Sequence, residues 1–172
     1  MLPKSVANFM KQQGFREEPP QACGRRFKGL LFQPTIMFTL VVVAIVLQSA
    51  PFFLVLSAVL WWNVTVPRLN PFEATYNGLV AKRGGGVVLA AAPAPRRFAQ
   101  AMAATFMLGT AVSLVEGWTL AAWTLEVLLV VAFAVLLFGR FCLGAYLFHV
   151  LRGRVAFANA TLPWASRRPE PN

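Results

Sequence analysis

Glu126, Cys142 and His149 are the side chains in this sequence whose types best suit chemistry, and each stands alone. Acid–base and nucleophilic catalysis need a second group within hydrogen-bond reach of the first. The sequence offers no Ser/His/Asp set, no metal-ligand cluster, no paired carboxylates and no dinucleotide fingerprint. Glu126 lies within an apolar run, where an ionisable side chain is costly and is a functional candidate by default. It would serve as a proton carrier or as counter-ion to a cation. The plainer reading, which we favour, is a carboxyl hydrogen-bonded to Thr124, Thr119, Ser113 or Gln48. His149 is the only histidine and would suit a haem iron or a chlorophyll magnesium. Its neighbour Arg152 favours an interfacial side chain instead. Cys23 and Cys142 both fall on the cytoplasmic side of the expected topology, where thiols stay reduced. No structural disulfide is expected between them.

The charge distribution decides which elements must position these groups. Of the 16 Lys and Arg residues in 172, all but Arg140 lie in three segments, Met1 to Lys28, Arg68 to Arg97 and Arg152 onward. No charged residue occurs from Gly29 to Pro67, and only Glu116, Glu126 and Arg140 occur from Phe98 to Leu151. Each apolar stretch suits a hairpin of two spans, because one crossing takes about 20 residues. Basic segments are retained on the cytoplasmic side. The expected fold is therefore an all-α integral membrane protein with four transmembrane helices as two hairpins and both termini cytoplasmic. Its parts are a basic N-terminal segment (1–28), hairpin 1 (29–67), a basic loop (68–97), hairpin 2 (98–151) and a tail (152–172). Hydrophobic residues at 58% and charged residues at 13% exclude an ordinary soluble enzyme. The net charge of +10 is tied to span ends, so lipid head groups explain it better than nucleic acid does. Nothing in the first 28 residues reads as a cleavable signal peptide.

The spans are expected from Leu30 to about Leu47, with Pro34 in the opening turn, then from Phe52 to about Val66, which is short. The third runs from Phe98 to about Val115 and the fourth to about Gly139. Neither hairpin turn, around Gln48 or at Glu116-Gly117-Trp118, contains Lys or Arg. Arg25-Arg26-Phe27 and Arg96-Arg97-Phe98 open the two hairpins alike, which suggests a parallel repeat. Asn70-Pro71-Phe72-Glu73 is a capped helix start. With Phe72, Tyr76 and Leu79 on one face, it predicts a short amphipathic helix lying in the head-group region. Gly84-Gly85-Gly86 reads as a linker. Ala101, Thr105, Gly109 and Ser113 form a row of small residues suited to close helix packing. Arg25, Arg26, Lys82, Arg83, Arg96, Arg97, Arg140 and Arg152 are expected at lipid head groups.

The stretches Arg96-Arg97-Phe98-Ala99-Gln100, Asn70-Pro71-Phe72 and Phe138-Gly139-Arg140-Phe141-Cys142-Leu143-Gly144 carry a resemblance. The chain resembles a group of small bacterial integral membrane proteins whose domain has no assigned function, over roughly Phe27 to Leu151. Many of that group carry Cys-x-x-Cys at the last motif, which implies thiol exchange. Here the second position is Ala145. The resemblance implies a four-helix architecture in the bacterial inner membrane and argues against a dithiol activity.

The sequence therefore points to a non-catalytic accessory subunit of a larger membrane assembly, such as a respiratory or photosynthetic one. No cofactor is expected, a bound lipid or pigment being what apolar helices would admit, and membrane lipids and that assembly are the partners. The alternatives are a membrane thiol-redox or sulfur-handling protein using Cys142 and a small transporter using Glu126.

Overall fold

Met37, Val41 and Ala44 recur at helical spacing, as do Phe53, Leu56 and Leu60, and Ala104, Met107 and Ala111. Together with Leu129 they form the main core. Residues three and four apart share a face of an α-helix, so each triplet is one buried stripe. The computed structural model describes residues 4–15, 20–81, 88–89 and 91–165, with the side chains of 20–26 and 80–81 outside that description. Among the described residues the chain is all helix and turn, with no strand.

Four helices make the bundle: α2 (Pro20–Val46), α3 (Ala50–Thr65), α5 (Ala94–Val115) and α6 (Thr119–Leu137). Shorter helices surround one end. They are α1 (Lys4–Gln12), α4 (Pro71–Thr75, continued by π-helical turns over Tyr76–Ala81), α7 (Leu143–Leu151) and α8 (Val155–Ala160). The helix α5 is central, packing most extensively on α3 and also on α6 and α7.

Among the described residues, three helices are long and apolar enough to cross a membrane: Phe27–Val46 within α2, α5 and α6. The fourth, α3, is apolar but only 16 residues long, about 24 Å at 1.5 Å per residue. Its depth is fixed by its neighbours. Arg97, at the start of α5, donates to the Val64 carbonyl at the end of α3 through Nε at 3.0 Å and Nη2 at 2.6 Å. Arg96 donates to the Leu30 carbonyl of α2 at 3.2 Å. The start of α5, the first half of α2 and the end of α3 therefore share one level.

Both hairpin turns sit where the absence of basic residues places them. Leu47 to Ser49 joins α2 to α3 with Gln48 at φ 44°, and the Ser49 hydroxyl accepts from Phe52 N at 3.4 Å as an N-cap. Glu116 to Trp118 joins α5 to α6, with Gly117 at φ 72°, a conformation that glycine adopts at no steric cost.

Several boundaries differ from the sequence expectation. The helix α2 begins at Pro20, which puts Pro34 in its interior rather than in its opening turn. The helix α5 begins at Ala94, before Phe98. After α6 the chain bends at Phe138 to Cys142, with Arg140 at φ 54°, and α7 is a separate element. The basic N-terminal segment contains α1, whose Val6, Phe9 and Met10 are buried. Asn70 does cap α4, accepting from Phe72 N at 3.0 Å. The expected surface face of that segment is divided, because Tyr76 packs on Phe32 at 5.6 Å and is buried while Leu79 stays exposed. Lys82, Arg83 and the triple glycine lie outside the described residues.

Candidate functional site

Pro34 carries no N–H, so the Leu30 carbonyl four residues earlier loses its helical donor. Leu30 is buried, and an unpaired carbonyl there would be costly. Arg96 Nη2 takes that place at 3.2 Å and also donates to Gln33 Oε1 at 3.3 Å. Gln100, one turn along α5, donates through Nε2 to the same Gln33 oxygen at 2.9 Å. The result is a buried polar triad of Gln33, Arg96 and Gln100 with two groups left over. Arg96 Nη1 and Gln100 Oε1 have no partner among the described residues. This corrects the expectation that Arg96 lies at lipid head groups, since the side chain is 5% exposed. Its reason is the carbonyl that Pro34 frees on another helix.

Beside the triad lies the bend that carries Cys142. The Cys142 amide donates to Gln12 Oε1 at 2.9 Å, and the thiol is buried. Burial pushes the thiol pKa up. The amides of Ala145 and Gly144 and the charge of Arg96 pull it down by less. A buried thiol whose pKa is raised is a poor nucleophile. Gly144 is where α7 meets α5, because a Cβ there would lie 2.6 Å from both Cα and Cβ of Ala99. The Cys142-Leu143-Gly144 motif therefore has a packing role that its spacing alone does not reveal.

A family model described as "Domain of unknown function (DUF4395)" matches residues 28–152. The chain belongs to that family. No curated protein and no solved structure matches it. The DUF4395 segment contains the triad, the Cys142 bend, and all of α3, α5 and α6. It excludes α1, whose Gln12 nonetheless completes the Cys142 corner.

His149 is also buried in this DUF4395 chain, with Nε2 3.0 Å from the Gln12 carbonyl. A carbonyl only accepts, so Nε2 carries a proton. Nδ1 has no partner among the described residues and lies near Phe148 and Phe157, at centroid distances of 5.4 and 4.7 Å from the imidazole. Haem or chlorophyll ligation through Nε2 would first break the bond to Gln12.

Glu126 lies at the opposite end of the bundle. Gln48 Nε2 is 3.2 Å from each carboxyl oxygen and also donates to Ile45 O at 2.8 Å. Helical side chains lean toward the helix N-terminus, so Glu126 reaches back to the turn between α2 and α3. Thr124 instead donates to the Leu120 carbonyl, at 2.7 Å.

The row of small residues does not act as one face. Ser113 is buried, Ala101 and Gly109 are half-buried, and Thr105 is exposed with its hydroxyl on the Ala101 carbonyl at 2.9 Å. Steps of four residues advance about 40° beyond a full turn each time, so such a row spirals off any straight contact. The packed face is Gln100, Ala104, Met107 and Ala111, whose alternating steps hold direction. There Ser57 of α3 donates to the Ala104 carbonyl at 2.8 Å. Gly109 faces α6, with Leu125 Cδ1 3.2 Å from where its Cβ would be.

The other basic residues divide as well. Arg97 is half-buried on Val64. Arg140 donates to Ser5 Oγ at 2.9 Å and lies 6.0 Å over the Phe27 ring. Arg152 is exposed and stacks over Phe148 at 4.6 Å. Arg25 and Arg26 lie in α2 with side chains outside the described set.

Proposed function

We propose that the chain is an integral membrane protein crossing the bilayer four times as two hairpins, with both termini cytoplasmic. We further propose that it serves as a non-catalytic accessory subunit of a larger membrane assembly. One observation carries this reading: the groups best suited to chemistry are built into the packing. Glu126 is tied to a hairpin turn, the Cys142 thiol is buried, and the donor nitrogen of His149 is held by a backbone carbonyl. The short α3 is compatible with four crossings, because a bilayer thins locally around a short span at modest cost. Leu120, Trp123, Val127, Val131 and Val135 on α6 stay exposed, so the bundle leaves an apolar face for lipid or a partner span.

Two experiments test the proposal. Single-cysteine labelling in intact cells with a membrane-impermeant maleimide should reach positions 49 and 116 but not positions 11 and 82. Labelling of 82 without 116 reverses the orientation. Purification from native membranes in mild detergent should recover a stoichiometric partner, and a lone chain with an active thiol would overturn the subunit reading.

A further inference from the structure

An open groove of about 540 Å³ lies where α1, α7 and α8 meet the start of α5. Lys11 and Gly14 line it from the N-terminal side, and Pro93 and Pro95 from α5. Gly14, at φ 89°, lets the chain after α1 turn closely against α5, since a Cβ there would lie 3.1 Å from Pro93 and 3.2 Å from Pro95. The remaining side is a ladder of rings. Phe148 and Phe157 flank the His149 imidazole at 5.4 and 4.7 Å, and the Gln12 carbonyl fixes that imidazole at 3.0 Å. Phe148 also packs on Phe98 of α5 at 5.8 Å. The Arg152 guanidinium stacks over Phe148 at 4.6 Å and that of Arg154 over Phe157 at 4.8 Å. Gly153 between them, at φ 72°, makes the tight turn that brings both to one groove.

Arg152 and Arg154 are exposed, and neither side chain donates a hydrogen bond to another described residue. Lys11 adds a third positive charge, and no carboxylate lines the groove among the described residues. Ring stacking holds a guanidinium by its face and leaves the N–H groups at its edge for an oxyanion. A phosphodiester suits two such edges, because its nonbridging oxygens diverge from a tetrahedral centre and each can accept from a different guanidinium. A carboxylate has two coplanar oxygens, which a single guanidinium already matches. The volume falls within the roughly 300–1,000 Å³ of ordinary ligand sites, room for a head group around the phosphate. Position supplies the source of that phosphate. Pro93 and Pro95 flank Ala94, the first residue of a helix long and apolar enough to cross a membrane, and bilayer head groups lie just outside the hydrocarbon. Leu151 and Val155, next to the two arginines in sequence, are apolar and exposed, a surface for acyl chains. A head group with its own ammonium would meet like charge. For a chain that spans the membrane, we propose that this groove binds an anionic phospholipid, with the phosphodiester between Arg152 and Arg154.

The test uses the full chain in a non-ionic detergent, with phosphatidylglycerol and phosphatidylcholine of the same acyl chains as probes and bound lipid counted by native mass spectrometry. Phosphatidylglycerol should bind saturably and about tenfold more tightly than phosphatidylcholine, as loss of charge-assisted hydrogen bonds implies. Arg152→Gln/Arg154→Gln should remove that preference. Lys4→Gln/Arg68→Gln, which removes two exposed charges that do not line the groove, should keep it. If the arginine variant does not accumulate, the comparison of the two lipids on the parent and on the control variant decides the matter. Equal affinity for the two lipids, an unchanged preference in the arginine variant, or a preference lost equally in the control would overturn the proposal. Displacement of the lipid by inorganic pyrophosphate at a lower concentration than phosphatidylglycerol itself requires would assign the groove to a soluble anion and overturn it too. Retention by phosphatidylcholine vesicles through an alkaline wash reports the membrane reading separately, so a retained chain without the lipid preference overturns this proposal alone.

Discussion

Pro34 and Arg96 should be thermodynamically coupled although they lie on different helices. In the native chain Pro34 cannot donate to the buried Leu30 carbonyl, and Arg96 Nη2 does so at 3.2 Å. Replacing Arg96 by Met leaves that carbonyl unpaired, a penalty of about 1–3 kcal/mol for a buried polar group. In a Pro34→Ala background the amide N–H restored at that position supplies the ordinary helical bond, so the same Arg96→Met change loses that part of its cost. The other consequences of removing Arg96, at Gln33 and Glu73, occur in both backgrounds and cancel in a double-mutant cycle. Reversible unfolding of the four proteins in mixed micelles should give Arg96→Met a smaller cost in the Pro34→Ala background, by about 1–3 kcal/mol. A coupling within about 0.5 kcal/mol of zero, or one of opposite sign, would refute the assignment of Arg96 as the replacement donor.

Three further outcomes follow from close contacts and burial. Gly144→Ala should cost about 1–3 kcal/mol as overpacking, read by thermal unfolding, because the added methyl meets Ala99 backbone. Gly78→Ala, with nothing within 4 Å, should be nearly neutral in the same assay. Gly109→Leu should lower accumulation of the chain expressed alone, because Leu125 of α6 occupies that space. Normal accumulation with loss of a partner would instead place the contact outside the chain. Burial raises the Glu73 pKa above its ordinary value of 4.5, against the opposing effects of Arg96 and Asn70. A raised native pKa means stability is fullest below 4.5 and falls as pH rises through the native value. Glu73→Gln should therefore be more stable than the parent at pH 7, with the gap closing toward pH 4, as measured by unfolding at both pH values.

The two hairpins are legible because each apolar run is too long for one helix and breaks at a turn without Lys or Arg, around Gln48 and at Gly117. The Asn70-Pro71 cap is legible for a local reason, since the side chain that accepts and the amide that donates are two residues apart. The helices α1, α7 and α8 are less legible, because each is only six to nine residues long, too short for a periodic pattern to stand out. Arg96 is hidden for a different reason. In sequence it is one member of a basic doublet before an apolar run, which reads as a head-group anchor. Its burial depends on a carbonyl freed by Pro34 on another helix, and on α2 starting early enough to make Pro34 interior. A proline four residues after a buried carbonyl is a signal, but its partner emerges only from tertiary packing. Gly144 is similar: the motif marks the position, and Ala99 supplies the reason.

The central claim is that Glu126 and Cys142 are parts of a packed scaffold that joins a larger assembly. Native mass spectrometry of the chain solubilised from its own membrane tests this most directly, with the parent beside a Glu126→Gln/Cys142→Ser variant. The account predicts one discrete assembly heavier than the monomer, the same in both proteins and formed to the same extent. A monomer in the parent, or an assembly lost in a variant that accumulates normally, would contradict it.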